Sequence, residues 1–321
     1  VEPRTSNYRA MVEQVRPACP QLHDVVYIGE DSWSQLVRRG GATDHHQLTE
    51  RATTLSFDDP INLQYTSGTT GFPKGATLSH HNILNNGYFV TERIGFTHAD
   101  RLCIPVPMYH CFGMVMGVIG AFSHGATVIF PAPAFDPEAT LRAIEAERAT
   151  ALYGVPTMFI AELGHPEFAS FDLTSLRTGI MAGSPCPVEV MKRVVADMHM
   201  EQVAIAYGMT ETSPVSTMTR MDDDLDRRTS TVGTVMPHVE VKIVDPATGL
   251  ELPRGEHGEL CTRGYSIMLS YWNEPERTAE AIDAAGWMHT GDLAVMDDQG
   301  YVNISGCLLY TSPSPRDGLL S

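Results

Sequence analysis

One lysine stands at the end of a stretch rich in flexible backbone and hydroxyls. The run YTSGTTGFPKG, Tyr65 to Gly75, packs the hydroxyls of Thr66, Ser67, Thr69 and Thr70, three glycines, Pro73 and Lys74 into eleven residues. Gly68 and Gly71 tolerate positive φ. Their N–H groups can therefore turn inward as an anion-binding concavity, to which Ser67, Thr69 and Thr70 add donors. Lys74 supplies a compact charge with three donors for phosphate oxygens. Glycine, serine, threonine and proline also make ordinary exposed turns. Their density here, closed by a lysine, favours a phosphate cradle. A nucleotide loop of the G-x-x-x-x-G-K-[ST] type is excluded, because counting from Gly68 puts Pro73 before Lys74 and Gly75 after it.

Four other short segments hold residues capable of chemistry. YGMTE, Tyr207 to Glu211, follows the apolar run Val203–Ala206 and so sits at the carboxyl end of an expected strand, where open α/β sheets bind ligands. Its aromatic, glycine, hydroxyl and carboxylate could stack a base, admit a ligand, touch a phosphate and hold magnesium; a plain strand-end turn would look similar. AGSP, Ala182 to Pro185, is by itself only another strand-end turn. In HTGDLA, His289 to Ala294, Asp292 follows a tight turn, where an aspartate is usually a cap. PMYHCFG, Pro107 to Gly113, places His110 between Tyr109 and Cys111, and a histidine in such apolar company is usually a satisfied core residue.

The elements that must position these groups follow from periodicity. Before the loop, Ile61, Leu63 and Tyr65 alternate with Asn62, Gln64 and Thr66, which predicts a strand with one buried face. After it come a short strand and a helix that Ser79 caps, with Ile83, Leu84 and Tyr88 on one face. CFGMVMGVIGAFSHGATVIF reads as a buried helix and then a strand. PEATLRAIEAERAT is an amphipathic helix with Leu141, Ile144 and Ala149 inward, leading to the strand ALYGVP. LTSLRTGIMAGSP gives a further strand, PVEVMKRVVADMHM a helix, and QVAIAYGMTE another strand. This alternation predicts an α/β fold of layered, mostly parallel sheets covered by helices. From Ser230 onward, glycine and proline punctuate short alternating runs, which predicts a small antiparallel β-barrel. Residues 1–225 and 226–306 are expected as two parts of one large domain. The acidic residues Asp222, Asp223, Asp224 and Asp226 adjoin Arg227 and Arg228 and read as a solvated loop.

With 321 residues, 43% of them hydrophobic, the chain can bury a substantial core. A formal charge of −17 argues against nucleic-acid or anionic-membrane surfaces, but a local loop can still bind one nucleotide. The cysteines Cys19, Cys103, Cys111, Cys186, Cys261 and Cys307 form no C-x-x-C pair, which favours reduced thiols in a cytosol-like compartment. No apolar run reaches about 18 residues, so no transmembrane helix is expected. The cytoplasm is the expected location, or the mitochondrion in a eukaryotic cell.

The stretch T-S-G-T-T-G-x-P-K-G resembles the phosphate loop of adenylate-forming enzymes: acyl-CoA synthetases, luciferases and peptide-synthetase adenylation domains. The resemblance spans about residues 60 to 306. GATLSHHNILNN, YHCFGMVMG and GYSIMLSYWNEPERTAEAI look most like the medium-chain fatty acyl-CoA synthetases. It implies that Thr66, Ser67, Gly68, Thr69, Thr70, Gly71, Pro73 and Lys74 hold ATP phosphates. Gly183, Ser184 and Pro185 would line the adenine and acyl pocket, and Tyr207 and Gly208 would pack on adenine. Thr210 would touch phosphate, Glu211 would bind Mg²⁺, and Asp292 would take the ribose hydroxyls. His110, Cys111 and Gly113 would border the acyl site, with His110 near the substrate but not a general base. The implied co-substrates are ATP with Mg²⁺, coenzyme A and a small carboxylic acid. Alternatives within the resemblance are loading of a carrier protein and a luciferase-like oxygenation; outside it stands nucleotide binding without turnover.

Two departures accompany the resemblance. The family continues Y-x-x-I-x-G-R-x-K-D, whereas here YVNISG is followed by Cys307. Residues 307–321 then resemble translated adapter read-through. The expectation is therefore a fragment without the C-terminal α+β domain, inactive by itself.

Overall fold

The structure, a computed structural model, describes residues 7–66 and 73–307. It divides into two compact units, Val1–Ser56 and Phe57–Ser321. In the first, the helices Tyr8–Val15, Asp31–Gly41 and His45–Thr53 bury no residue. Asn7 and Asp44 cap two of them by accepting from the Ala10 and His46 N–H groups.

Among the described residues the second unit holds fourteen strands. They are β1 (Pro60–Thr66), β2 (Lys74–Ser79), β3 (Arg101–Cys103), β4 (Thr127–Ile129), β5 (Ala151–Gly154), β6 (Thr178–Ala182) and β7 (Gln202–Gly208). Then come β8 (Val215–Met218), β9 (Thr234–Val235), β10 (Val239–Val244), β11 (Gly258–Gly264), β12 (Ser270–Tyr271), β13 (Met288–Met296) and β14 (Val302–Cys307). Seven form one sheet in the order β4-β3-β5-β6-β7-β8-β9. Its first five strands are mutually parallel, and β8 and β9 are antiparallel.

Alternation along these strands supplies two cores at once. Leu102, Ala151, Tyr153, Ile180, Ala182, Ala204 and Ala206 face one cluster, with Val90, Ile94, Phe112 and Met116 from the helical segments above. Their neighbours Cys103, Leu152, Met181, Val203 and Ile205 face the other, with Leu141, Ile144, Phe159, Met191 and Val194. Helices on both faces are what a parallel sheet requires, since its crossovers must pack back onto it. The expected α/β layering is thus found, as a mixed sheet with helices on either side. Leu141, Ile144 and Ala149 are fully buried, as the periodicity predicts.

Ser79 caps the helix His80–Arg93: its Oγ accepts from the Asn82 N–H at 3.1 Å, and Asn82 returns a bond to the Ser79 N–H at 2.8 Å. The buried face differs from expectation. Ile83 is inside, but Leu84 and Tyr88 are exposed, and Asn82, Asn86, Gly87, Val90 and Thr91 face inward. The helix packs so closely on the next one that a Cβ at Gly87 would lie 2.8 Å from the Val115 carbonyl oxygen. Asn86 is drawn in because it bonds both the N–H and the carbonyl of Val215. That next helix is a π-helix over Phe112–Ile119 continued by an α-helical turn, Gly120–Ser123.

A second reversal occurs in β1. Ile61, Leu63 and Tyr65 are its exposed face, while Gln64 is buried and Asn62 and Thr66 are half-buried. The polar side turns inward because it meets polarisable partners: Gln64 accepts from the Cys111 thiol, and Asn62 reaches the Met114 sulfur.

The segment expected as a small barrel is a four-stranded antiparallel sheet, β10-β11-β13-β14, with no pairing of β14 to β10 among the described residues. β1, β2 and β12 form a third, antiparallel sheet. In the acidic loop Asp222, Asp224 and Asp226 are exposed, as expected, and Asp223 is the exception. Asp223 is buried and accepts from the Tyr301 hydroxyl and the Arg220 N–H, and Asp224 caps the helix Leu225–Ser230. No disulfide joins the cysteines among the described residues, and Cys103, Cys111 and Cys261 are buried. No helix among the described residues is long and apolar enough to cross a membrane.

Glu162, on the helix Pro156–Leu163, is buried with neither carboxyl oxygen partnered among the described residues. Burial raises its pKa well above the ordinary 4.5. The native state then holds a proton that the unfolded chain releases near 4.5. The stability this group contributes is fully present below that value and is lost as pH rises towards the folded one. Glu162→Gln is therefore expected to flatten the profile: urea midpoints at pH 5 and pH 8 should differ less than in the wild type. Parallel profiles would show that the carboxyl is not neutral in the fold.

Candidate active site

The ends of the β1–β2 hairpin meet where Thr66 pairs with Lys74. Ser67, Gly68, Thr69, Thr70 and Gly71 lie outside the described residues. Among the described residues the Thr66 Oγ1 is buried without a partner, and Pro73 is exposed just before β2. Lys74 Nζ donates to the Tyr271 hydroxyl at 3.2 Å and stands 4.5 Å from that ring's centroid. Tyr271 in turn donates to Glu211 Oε1 at 2.7 Å. A cavity of 180 Å³ opens beside them, lined by Lys74, Tyr271, Arg277, Glu280 and Ala281.

Glu211 sits on a single 3-10 turn, Thr210–Thr212, directly after β7, and its side chain is buried. Gly208 makes that turn: a Cβ there would stand 1.8 Å from the Pro214 carbonyl oxygen. The turn also meets the Cys111 segment. Burial pushes the Cys111 thiol up to about 12, the Glu211 charge adds to the rise, and a hydrogen bond with Thr210 opposes it. Cys111 is therefore an inert thiol in the wall of the site. Gly113, next along, would place a Cβ 2.4 Å from the Pro107 carbonyl oxygen, so the π-helix can start against this loop only with glycine. His110 Nδ1 accepts from the Phe112 N–H at 3.0 Å, and desolvation lowers the ring's pKa. Both keep the imidazole neutral with its proton on Nε2.

β6 and β7 run parallel with Ala182 opposite Ala206, so Gly183, Ser184 and Pro185 leave the sheet beside Tyr207 and Gly208. Gly183 takes φ +91°, which favours glycine, and all three residues are exposed. The Tyr207 hydroxyl donates to Asp292 Oδ2 at 2.6 Å. Burial and then the Asp292 charge raise the phenol's pKa, so it remains a donor. Asp292 lies on β13 directly opposite Cys307 of β14, and the Cys307 thiol donates to the Gly291 carbonyl at 3.2 Å.

The structure thus joins Lys74 with Glu211, Thr210 with Cys111, and Tyr207 with Asp292, the two halves being linked by the short turn through Gly208. Three functional positions were not singled out from the sequence. Tyr271 is 197 residues from Lys74 along the chain, and its aromatic type inside SIMLSYW was the sole signal. Gln64 lies on the buried face of β1, which the alternation of that strand does not identify. Glu259 shapes the Asp292 turn: Oε1 accepts from the Gly291 N–H at 3.0 Å, while Oε2 lies 2.8 Å from His289 Nδ1. The Cys261 sulfur is 3.5 Å from the same nitrogen.

Chemically, the arrangement offers a cation for phosphate at Lys74, a buried carboxylate at Glu211, and a phenol and carboxylate at Tyr207 and Asp292. The donor set fits magnesium, a hard cation that takes one or two carboxylates and fills its shell with phosphate oxygens and water. Glu211 would hold it, with the Thr210 hydroxyl alongside.

The profile described as AMP-binding enzyme matches residues 4–272. A putative acyl-CoA synthetase, YngI, of Bacillus subtilis is 51% identical over 295 residues, covering 90% of this chain and 54% of its own length. The mitochondrial medium-chain acyl-CoA ligase ACSF2 of Danio rerio is 48% identical over 294 residues, covering 89% of this chain and 48% of its own. The chain thus spans about half the length of the curated relatives it matches. Among solved structures, ATP-bound MatB from Rhodopseudomonas palustris superposes with a TM-score of 0.71 at 35% identity, over 79% of this chain and 49% of that one. With the AMP-binding profile matching most of its length, this chain belongs to the AMP-binding enzyme family.

Proposed function

We propose that the protein activates a medium-chain fatty acid with MgATP and passes the acyl group to coenzyme A. The observation that carries this reading is the hydrogen-bonded series Lys74–Tyr271–Glu211, which brings an ammonium suited to phosphate and a buried carboxylate suited to metal to one phenol. The acyl-CoA synthetase and ligase relatives support the same chemistry.

In the first step a carboxylate oxygen of the acid bonds to the α-phosphorus of ATP, and the bond to the bridging oxygen breaks to release pyrophosphate. Both reactants are anions, so the site must screen charge as it aligns them. Lys74, with the loop N–H groups, takes the phosphate charge. Magnesium held by Glu211 would supply further neutralisation of the phosphates. Tyr207 packs on adenine, and Asp292 accepts from the ribose hydroxyls. His110, neutral and protonated on Nε2, offers a donor to the acid. In the second step the coenzyme A thiol loses its proton to solvent, its sulfur bonds to the acyl carbon, and the bond from that carbon to the phosphate oxygen breaks to release AMP.

The medium-chain assignment rests on the likeness to the medium-chain acyl-CoA ligase relatives, and it calls for an apolar slot that takes the acyl chain. Whole protein given ATP, Mg²⁺, CoA and a panel of straight-chain acids is expected to release pyrophosphate best with roughly six to twelve carbons, the span such a slot accommodates. Preference for an amino acid or an aryl acid would move it to another branch of the family.

A further inference from the structure

We infer that Tyr271 is a positioning residue that keeps Lys74 and Glu211 apart, so that the one stays available to phosphate and the other to metal. The inference rests on the adenylation reading above and concerns the same site.

Lys74 and Glu211 carry opposite charges in a sheltered site, where direct pairing is strongly favoured. They do not meet directly. The Tyr271 hydroxyl stands between them, accepting from Nζ at 3.2 Å and donating to Oε1 at 2.7 Å. One phenol oxygen can do both, whereas an aliphatic or unsubstituted aromatic side chain can do neither. Lys74 then spends one of its three donors and keeps two.

The chain holds this spacer firmly. Tyr271 pairs with Ala76 on β2 and belongs to one buried cluster with Ala76, Leu78, Cys111, Val115 and Met268. Around it, the Met268 N–H donates to the Glu211 carbonyl, the Leu269 N–H to that of Thr77 and the Trp272 N–H to that of Gly75, at 2.7–2.9 Å. The same short segment is thereby fastened to the strand that carries Lys74 and to the turn that carries Glu211. A residue serving packing alone would not need its oxygen at this point.

Tyr271→Phe removes the oxygen and keeps the ring. Without the spacer, Lys74 can close onto Glu211, and nucleotide and metal must then compete with an ion pair. The test is acid-dependent pyrophosphate–ATP exchange by the whole protein, titrated with Mg²⁺, beside thioester formation from synthetic acyl-adenylate. For Tyr271→Phe the exchange rate is expected to fall about tenfold or more, the worth of a charge-assisted hydrogen bond, and the Mg²⁺ midpoint to rise. Thioester formation should keep its wild-type rate. In a Lys74→Met background the same change should cost much less, since no cation remains to collapse.

A Mg²⁺ midpoint does not depend on how much of a preparation is folded, so it reports even where the variant is less stable. An unchanged midpoint, equal losses in both half-reactions, or full additivity with Lys74→Met would each overturn the spacer role. Absence of acid-dependent exchange in the wild type would instead overturn the adenylation reading itself.

Discussion

Replacing Lys74 by alanine is expected to lower kcat/KM for ATP on the order of tenfold or more, since a hydrogen bond to a charged group is worth about 1.5–3 kcal/mol. Lys74 is the first residue of β2, and its register opposite Thr66 fixes where the ammonium emerges. On the proposed reading the loss should fall on adenylation and spare thioester formation from preformed acyl-adenylate, because phosphates held by Lys74 would leave as pyrophosphate in the first step. Loss of the ammonium also frees the Tyr271 oxygen of one donor, so Glu211 is left bound to a phenol with no cation behind it. Some of the measured cost will therefore appear as a changed response to Mg²⁺. Steady-state kinetics in ATP at several Mg²⁺ concentrations would separate the two contributions. Wild-type ATP kinetics for the variant would remove Lys74 from the phosphate site.

Much of the scaffold was legible in the sequence because its signals are local. Ser79 and Asn82 complete a capping box within four residues, and Leu141, Ile144 and Ala149 follow one helical stripe into the core. The strands of the main sheet read as continuous apolar runs because both their faces are covered. Where the reading failed, the missing information was a partner distant in sequence. A period of two identifies the faces of β1 but not which one is inside, and that was decided by Cys111 and Met114 meeting Gln64 and Asn62. Leu84 and Tyr88 were drawn to the wrong side for the same reason: Asn86 and Gly87 win the inner face through contacts with Val215 and the π-helix. The site divides along the same line. Lys74, Tyr207, Glu211 and Asp292 stand in short motifs, and the fold brings them together as the pairs Lys74–Glu211 and Tyr207–Asp292. Tyr271 and Glu259, which tie those motifs to one another, lie in stretches whose local composition is ordinary.

Gly208→Ala is expected to disable the site from a residue with no reactive group. An added Cβ would lie 1.8 Å from the Pro214 carbonyl oxygen and 3.0 Å from the Thr212 Oγ1. Backbone cannot yield as a flexible side-chain tip can, so the strand end or the turn must move. Overpacking of this kind typically costs about 1–3 kcal/mol, and more when the obstacle is main chain. For a unit of this size each kcal/mol lowers the melting temperature by about 2–4 °C. The movement has a direction that matters, because Gly208 joins Tyr207, bonded to Asp292, to the turn that carries Thr210 and Glu211. Pushing the turn away from β7 would separate the Tyr207–Asp292 pair, proposed to hold adenine and ribose, from Glu211, proposed to hold metal. The variant should consequently melt several degrees lower and lose most of the stabilisation that MgATP confers on the wild type. Gly306→Ala is the matched control, since its methyl would make ordinary contact with Leu293 at 3.9 Å. Thermal denaturation of both variants with and without MgATP reads the outcome. If Gly208→Ala melts with the control and keeps the nucleotide shift, the close crossing of β7 over Pro214 is not what holds the two halves of the site in register.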